Sequence, residues 1–310
     1  MNEAFERIDY PALAKAMREV VLDPSVHVPP RQVLALPDAG KLLVMPATNA
    51  EWAMTKVITF VPGNAQRGLP AIQGQVMLQS ALDGTLRMTL DGPRVTARRT
   101  AAVSLLAAQT LAPGRQGPLL IIGAGVQGRS HLEAFVQGAD VTECWVFSQR
   151  AASAQALVQV AAALGKPARV VTDLAQALAH SRFVVSSTSA QAVVAQHRPH
   201  SEAFVTAVGA FTPHMVEWDA AVCRWAAEVG TLVVDTRDAD HEAGDFLQAG
   251  LDVGAMPSLA DVLGASACWT QRPAPNSALV FFKNCGWAGW DLAAACATAA
   301  QTTAPNRPSR

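Results

Sequence analysis

Apolar residues at Leu13, Met17, Val20 and Val21 recur at helical spacing, and the run stops near Asp23-Pro24, so Tyr10 to Val21 predicts a short amphipathic helix. From Val26 to Leu90 the pattern shortens to that of strands. VLAL, KLLVMP, AMTKVITFV, AIQGQVMLQ and LRMTL are separated by turn formers such as Pro62-Gly63-Asn64 and Asp83-Gly84, which predicts an antiparallel meander. The alanine- and leucine-rich stretch Thr96 to Leu111 predicts a helix with Thr96 as N-cap and a stop at Pro113-Gly114. Beyond it, apolar runs (PLLIIGAG, CWVFSQ, ARVV, RFVVSSTS, AFVTAVGA, TLVVDT) alternate with alanine-rich segments, the order of a doubly wound parallel sheet. The expected fold is therefore α/β, with the parallel sheet in residues 114–275 and a separate α+β domain in 1–113. Residues 276–310 complete that first domain through a last helix from about Trp287 to Ala300, and the tail TTAPNRPSR reads as frayed.

Composition narrows the function classes. Half of the 310 residues are apolar, enough for two cored domains, and 24 Lys+Arg against 25 Asp+Glu leave no basic excess for nucleic acid. The five cysteines, at 144, 223, 268, 285 and 296, form neither a C-x-x-C pair nor a cluster with histidine, so no metal site is expected and a reducing, cytoplasmic setting fits. Charges in MNEAFERIDYPALAKAM argue against a signal peptide, and no run of eighteen apolar residues suggests a membrane span.

One motif carries chemistry directly. Leu119-Leu120-Ile121-Ile122 runs into Gly123-Ala124-Gly125-Val126-Gln127-Gly128 and then a helical segment with His131, Leu132 and Phe135, which is G-x-G-x-x-G in its strand-turn-helix setting. Gly123 would allow the tight turn, Gly125 the approach of a pyrophosphate and Gly128 the packing of helix on strand, while free N–H groups at the helix start, including those of Val126 and Gln127, receive the anion. A Rossmann dinucleotide-binding domain is thus expected. About twenty residues on, the second strand ends in Ser148-Gln149-Arg150, where an NAD enzyme would present a carboxylate to the ribose. A hydroxyl and a guanidinium suit a 2′-phosphate, so the cofactor is expected to be NADP, with Thr188 and Val208 on later strand ends completing the site.

The first domain holds cations in unfavourable places. Arg98 and Arg99 would open a helix, where the macrodipole disfavours positive charge and a bound carboxylate would resolve the conflict. Lys56 sits inside Ala53-Met54-Thr55-Lys56-Val57-Ile58, on the face of Ile58 and Phe60, either as a part-buried ammonium needing an anion or as a snorkelling edge lysine.

Taken together, Arg31 after Pro29-Pro30, Met45-Pro46, Lys56 followed by Pro62-Gly63-Asn64, the TARRTAA start at Thr96–Ala102, Gly123–Gly128, Val208-Gly209-Ala210 and Lys283-Asn284-Cys285-Gly286 before Asp291-Leu292 resemble the ornithine cyclodeaminase/mu-crystallin family over nearly the whole chain. That resemblance implies a homodimer built through the first domain, with Arg31, Lys56 and Arg99 gripping the carboxylate of an imino or amino acid. Two positions depart from the cyclodeaminase pattern. Phe211 stands where those enzymes and the related alanine dehydrogenases carry an aspartate, and Leu43 stands at the position of a glutamate. An apolar ring exchanges no protons. Phe211 resembles instead the branch that reduces the cyclic ketimines Δ1-pyrroline-2-carboxylate and Δ1-piperideine-2-carboxylate, where it would act with Lys56 and Arg99 by keeping the site dry. Lys56, a bound water or His214 could hold the proton. An amino-acid dehydrogenase or cyclodeaminase, and a non-catalytic NADP-binding crystallin-like protein, stay open as alternatives.

Overall fold

The computed structural model describes residues 2–112, 114–189, 191–265 and 278–303. Its contacts divide the chain into one unit of residues 1–99 with 287–310 and another of residues 100–286. The expected domain end at 275, Cys268 and the tail from Ala304 lie outside the described residues.

In the first unit, helices α1 (Asn2–Glu6) and α2 (Tyr10–Leu22) precede strands β1 (Gln32–Ala35), β2 (Lys41–Thr48), β3 (Trp52–Phe60), β4 (Ile72–Ser80) and β5 (Leu86–Asp91). These strands pair antiparallel in sequence order, as the alternation predicts. Partners in register share a face, so Met45, Lys56 and Val76 lie side by side on the buried one, flanked by Met54, Ile58, Leu78, Met88 and Leu90. The last helix, Ala288–Thr303, packs against α2, β2 and β3, which joins the two ends of the chain in one core.

Helix α3 (Gly92–Leu111) starts four residues earlier than the sequence suggests. Asp91, not Thr96, supplies the cap: its carboxylate accepts from the Arg94 N–H at 2.9 Å, and Pro93 occupies the first turn, where its missing N–H is harmless. Arg98 and Arg99 consequently stand in the second turn, and the argument from the helix dipole does not apply to them.

In the second unit the strands are β6 (Gln116–Ile122), β7 (Asp140–Phe147), β8 (Ala168–Val170), β9 (Phe183–Ser186), β10 (Gln191–Ala195), β11 (Phe204–Ala207), β12 (Val216–Trp218), β13 (Thr231–Val234) and β14 (Val280–Lys283). Seven of them form a parallel sheet in the order β13-β14-β11-β9-β6-β7-β8, and β10 pairs with β12 apart from it. The expected doubly wound sheet is present. Its unexpected member is β14, which lies beyond residue 275 in sequence and enters between β11 and β13. Phe281 packs among Trp218 and Phe246 on one face, while Phe282 stacks on Phe204 on the other. Among the described residues, the α-helices of this unit are α4 (Val126–Gly138), α5 (Ala151–Ala163), α6 (Leu174–His180), α7 (Ala220–Val229), α8 (Gly244–Gln248) and α9 (Leu259–Leu263), and Ala288–Thr303 of the first unit is labelled α10. Among the described residues no helix is long and apolar enough to cross a membrane.

Candidate active site

The fingerprint glycines do different things. Gly123 has φ +104°, and a Cβ there would stand 2.6 Å from the Ser187 carbonyl oxygen. At Gly128 a Cβ would reach 2.0 Å from the Gly123 oxygen, whereas around Gly125 there is nothing within 4 Å. The turn is therefore closed on the sheet side and open where a ligand would approach. Gly125 caps α4 without a side-chain bond, which leaves the first N–H groups of the helix aimed at that opening.

A cavity of about 590 Å³ sits there, and Gly123, Gly125, Val126, Gln127, Ser148, Gln149, Arg150 and Thr188 are among its lining residues. Gly128 serves packing behind it, and Val208 lies buried, its N–H held by the Ser186 oxygen at 2.9 Å. At the β7 end the Ser148 hydroxyl accepts from the Arg150 N–H at 3.3 Å and the Arg150 side chain is exposed. Open backbone, free helical donors and a guanidinium fit the phosphates of a dinucleotide.

Below the turn, a buried polar chain fixes α4. Burial pushes His131 down to about 4, so the ring is neutral. Its Nδ1 must carry the proton to donate to the Gln127 carbonyl at 2.8 Å, which leaves Nε2 to accept from the Ser104 hydroxyl of α3 at 3.0 Å. Ser104 also meets Thr206 of β11 and the Asn284 amide.

In the first unit Lys56 does find an anion. Its Nζ donates to Asp291 Oδ2 at 2.6 Å, and Arg99 Nε donates to Oδ1 of the same carboxylate at 3.1 Å, all three side chains being buried. Burial pulls the Lys56 pKa down to about 8; Asp291 raises it, while Arg99 and Arg31 lower it, which puts Arg31 within electrostatic reach. Arg99 Nη1 has no hydrogen-bond partner among the described residues. Two buried cations thus share one buried carboxylate. Arg98 has a different task, bonding to the carbonyls of Phe5 and Ile8 with its guanidinium over the Phe5 and Tyr10 rings. Phe211 lies in the loop after β11 and is 38% exposed, His214 is exposed, and Leu43 is half-buried on β2.

The model of the ornithine cyclodeaminase/mu-crystallin family matches residues 4–297. The chain belongs to that family. Among its relatives, a Δ1-pyrroline-2-carboxylate/Δ1-piperideine-2-carboxylate reductase of Azospirillum brasilense is 37% identical over 96% of this chain and 93% of its own. Δ1-Pyrroline-2-carboxylate reductase 1 of Burkholderia multivorans is 37% identical over 94% and 91%. The solved Δ1-pyrroline-2-carboxylate reductase of Thermococcus litoralis, in complex with NADH and L-proline, superposes with a TM-score of 0.87 over 97% of this chain and 96% of that one. At 23% identity it speaks for the family fold.

Two groups of residues escaped the sequence reading. Asp291 stood only as part of the family pattern, with no role of its own, although a buried lysine in a strand calls for a carboxylate somewhere in the same core. The second is a buried cluster of Glu217, Asp245 and Lys283 in the second unit. Lys283 ends an apolar run as Lys56 interrupts one, and that signal could have prompted the search for its partner.

Proposed function

We propose that this family member is an NADPH-dependent ketimine reductase that converts Δ1-pyrroline-2-carboxylate or Δ1-piperideine-2-carboxylate to L-proline or L-pipecolate, and that it works as a homodimer. The observation that carries the reading is the buried pair of cations Lys56 and Arg99 on the single carboxylate of Asp291, with Arg31 within electrostatic reach of Lys56. A substrate carboxylate would balance the second of these two buried positive charges, with Arg99 Nη1, which has no hydrogen-bond partner among the described residues, as one donor toward it.

When bound, the nicotinamide would supply a hydride to the electrophilic imine carbon. The chain's own residues would hold and orient the partners. Gly123, Gly125 and the α4 N-terminus receive the pyrophosphate, Ser148 and Arg150 the 2′-phosphate, and Gln149 and Thr188 line the same cavity. Arg31, Lys56 and Arg99 grip the carboxylate and fix the ring. With a pKa near 8, Lys56 is protonated at neutral pH yet able to release its proton just above it, so it suits the proton holder. Phe211 supplies an apolar wall, and with Leu43 it replaces the two acids that deamination would call on. Preference for NADPH rests on Ser148 and Arg150, since the Thermococcus litoralis relative was solved with NADH.

The homodimer reading draws support from the second face of the meander, where Leu42, Val44, Val57 and Met77 are half-exposed. Sedimentation at twice the 32.6 kDa chain mass would support it. The activity is tested by following oxidation of NADPH and NADH with both cyclic imines, beside ornithine and alanine with NAD. Turnover of the imines is expected. Turnover of ornithine or alanine with inert imines would overturn the proposal.

A further inference from the structure

Glu217 is fully buried in the middle of the short strand β12, and its carboxylate collects donors from three residues. Oε1 accepts from the Thr188 N–H at 2.6 Å, and Oε2 accepts from the Gly209 N–H at 2.8 Å and the Ser186 hydroxyl at 3.0 Å. These donors belong to the segments that leave β9 and β11, neighbouring strands whose ends, Ser186 and Ala207, are in register. The fit is close: a Cβ on Gly209 would stand 2.5 Å from the Glu217 carboxylate and from the Thr188 oxygen. Toward these three groups the carboxylate acts as an acceptor, while burial pushes its pKa up.

The carboxylate is itself anchored. The Glu217 N–H donates to Asp245 Oδ1 at 2.6 Å, and Lys283 of β14 donates to Oδ2 of Asp245 at 2.8 Å. The Trp218 indole donates to the Ser186 hydroxyl at 2.8 Å, leaving that hydroxyl free to give its proton to Glu217. On the other side of the same segment, the Ser187 N–H bonds to the Ile122 oxygen at 2.8 Å, next to the glycine turn. Thr188 lines the cofactor cavity, and Gly209 leads to Phe211 two residues later. In a doubly wound sheet the strands beyond the crossover take the second mononucleotide, which in this class is the nicotinamide half.

We propose that Glu217 is a positioning residue for the nicotinamide half of the cofactor site: its buried carboxylate locks the exits of β9 and β11 together and so sets the Thr188 segment and the backbone leading to Phe211. It acts through those backbone groups and not by touching the substrate.

The test compares ligands that differ only in the half concerned. NADH and NADPH would be titrated into the full-length protein by nicotinamide fluorescence, with ADP-ribose and its 2′-phosphate titrated calorimetrically, in wild type and in Glu217→Gln. Glutamine keeps the shape but offers one oxygen for two N–H groups, so one exit is released. Dinucleotide affinity should fall about tenfold or more while the ADP-ribose forms bind within about twofold of wild type. Unchanged dinucleotide affinity, or an equal loss for both ligand classes, would overturn the proposal. Ser186→Ala removes one donor without altering the Glu217 side chain and carries the same test if Glu217→Gln does not fold. It should weaken the dinucleotide about threefold and spare ADP-ribose, and equal effects on both would again overturn the idea. Because the readout is binding, a failure to reduce cyclic imines would leave it standing.

Discussion

Lys56→Met should stabilise the protein at neutral pH while removing its reductase activity. Methionine resembles the lysine stem without the ammonium, and Lys56 is only 1% exposed. Burial lowers its pKa from 10.5 to about 8, because the loss of water outweighs the attraction of Asp291, and Arg99 adds to the fall. At about 1.4 kcal/mol per pKa unit, that fall means the charged side chain opposes folding by roughly 3 kcal/mol. Between pH 8 and 10.5 the unfolded chain keeps a proton that the folded chain has released, so stability rises with pH across this window. Below about 8 the whole penalty stands; above 10.5 it is gone. Urea denaturation of wild type and variant at several pH values should show the variant ahead by about 2–3 kcal/mol at neutral pH, with the difference closing as pH approaches the upper limit. A variant less stable than wild type at neutral pH would refute the reasoning, since the pairing with Asp291 would then outweigh desolvation.

Arg150→Asp should raise KM for NADPH by about tenfold or more and leave KM for NADH nearly unchanged, because it removes a charge-assisted contact and sets a carboxylate against the 2′-phosphate; an equal effect on both would refute that role. Arg99→Lys keeps a charge near Asp291 but loses the planar fork, so kcat/KM for cyclic imines should drop ~10–100-fold with NADPH binding retained. Normal turnover in that variant would place the carboxylate grip elsewhere. Ornithine should release no ammonia at a rate comparable to imine reduction, and an ammonia-coupled assay showing otherwise would restore the cyclodeaminase reading.

Periodicity and turn chemistry made most of the architecture legible before any coordinates. The meander alternates cleanly because one face is buried, and the glycine turn is visible because each glycine answers a steric demand. The start of α3 was misplaced because Thr96 and Asp91 are both good caps, and only the packing around Gly92, where a Cβ would meet the Gly74 backbone at 2.9 Å, decides for the earlier one. Strand β14 was missed since three apolar residues and a lysine carry no period of their own. Lys56 and Arg99 stood out as cations in unsuitable places, yet their counter-ion lies 235 and 192 residues away in sequence. No local pattern reports a contact at that range. The same holds for Glu217, whose donors come from strand exits that only the sheet order makes neighbours.

The division of the chain has a consequence for its synthesis. Residues 100–286 form one uninterrupted stretch and can fold as they leave the ribosome, whereas the other unit needs residues from both ends. Until α10 emerges, the buried face of the meander lacks the helix that covers it, and Lys56 lacks the Asp291 carboxylate. The nascent meander must wait, exposed, through nearly two hundred further codons. A translational pause anywhere between the meander and α10 should therefore prolong that exposure and lower yield, whereas a pause before the meander should not.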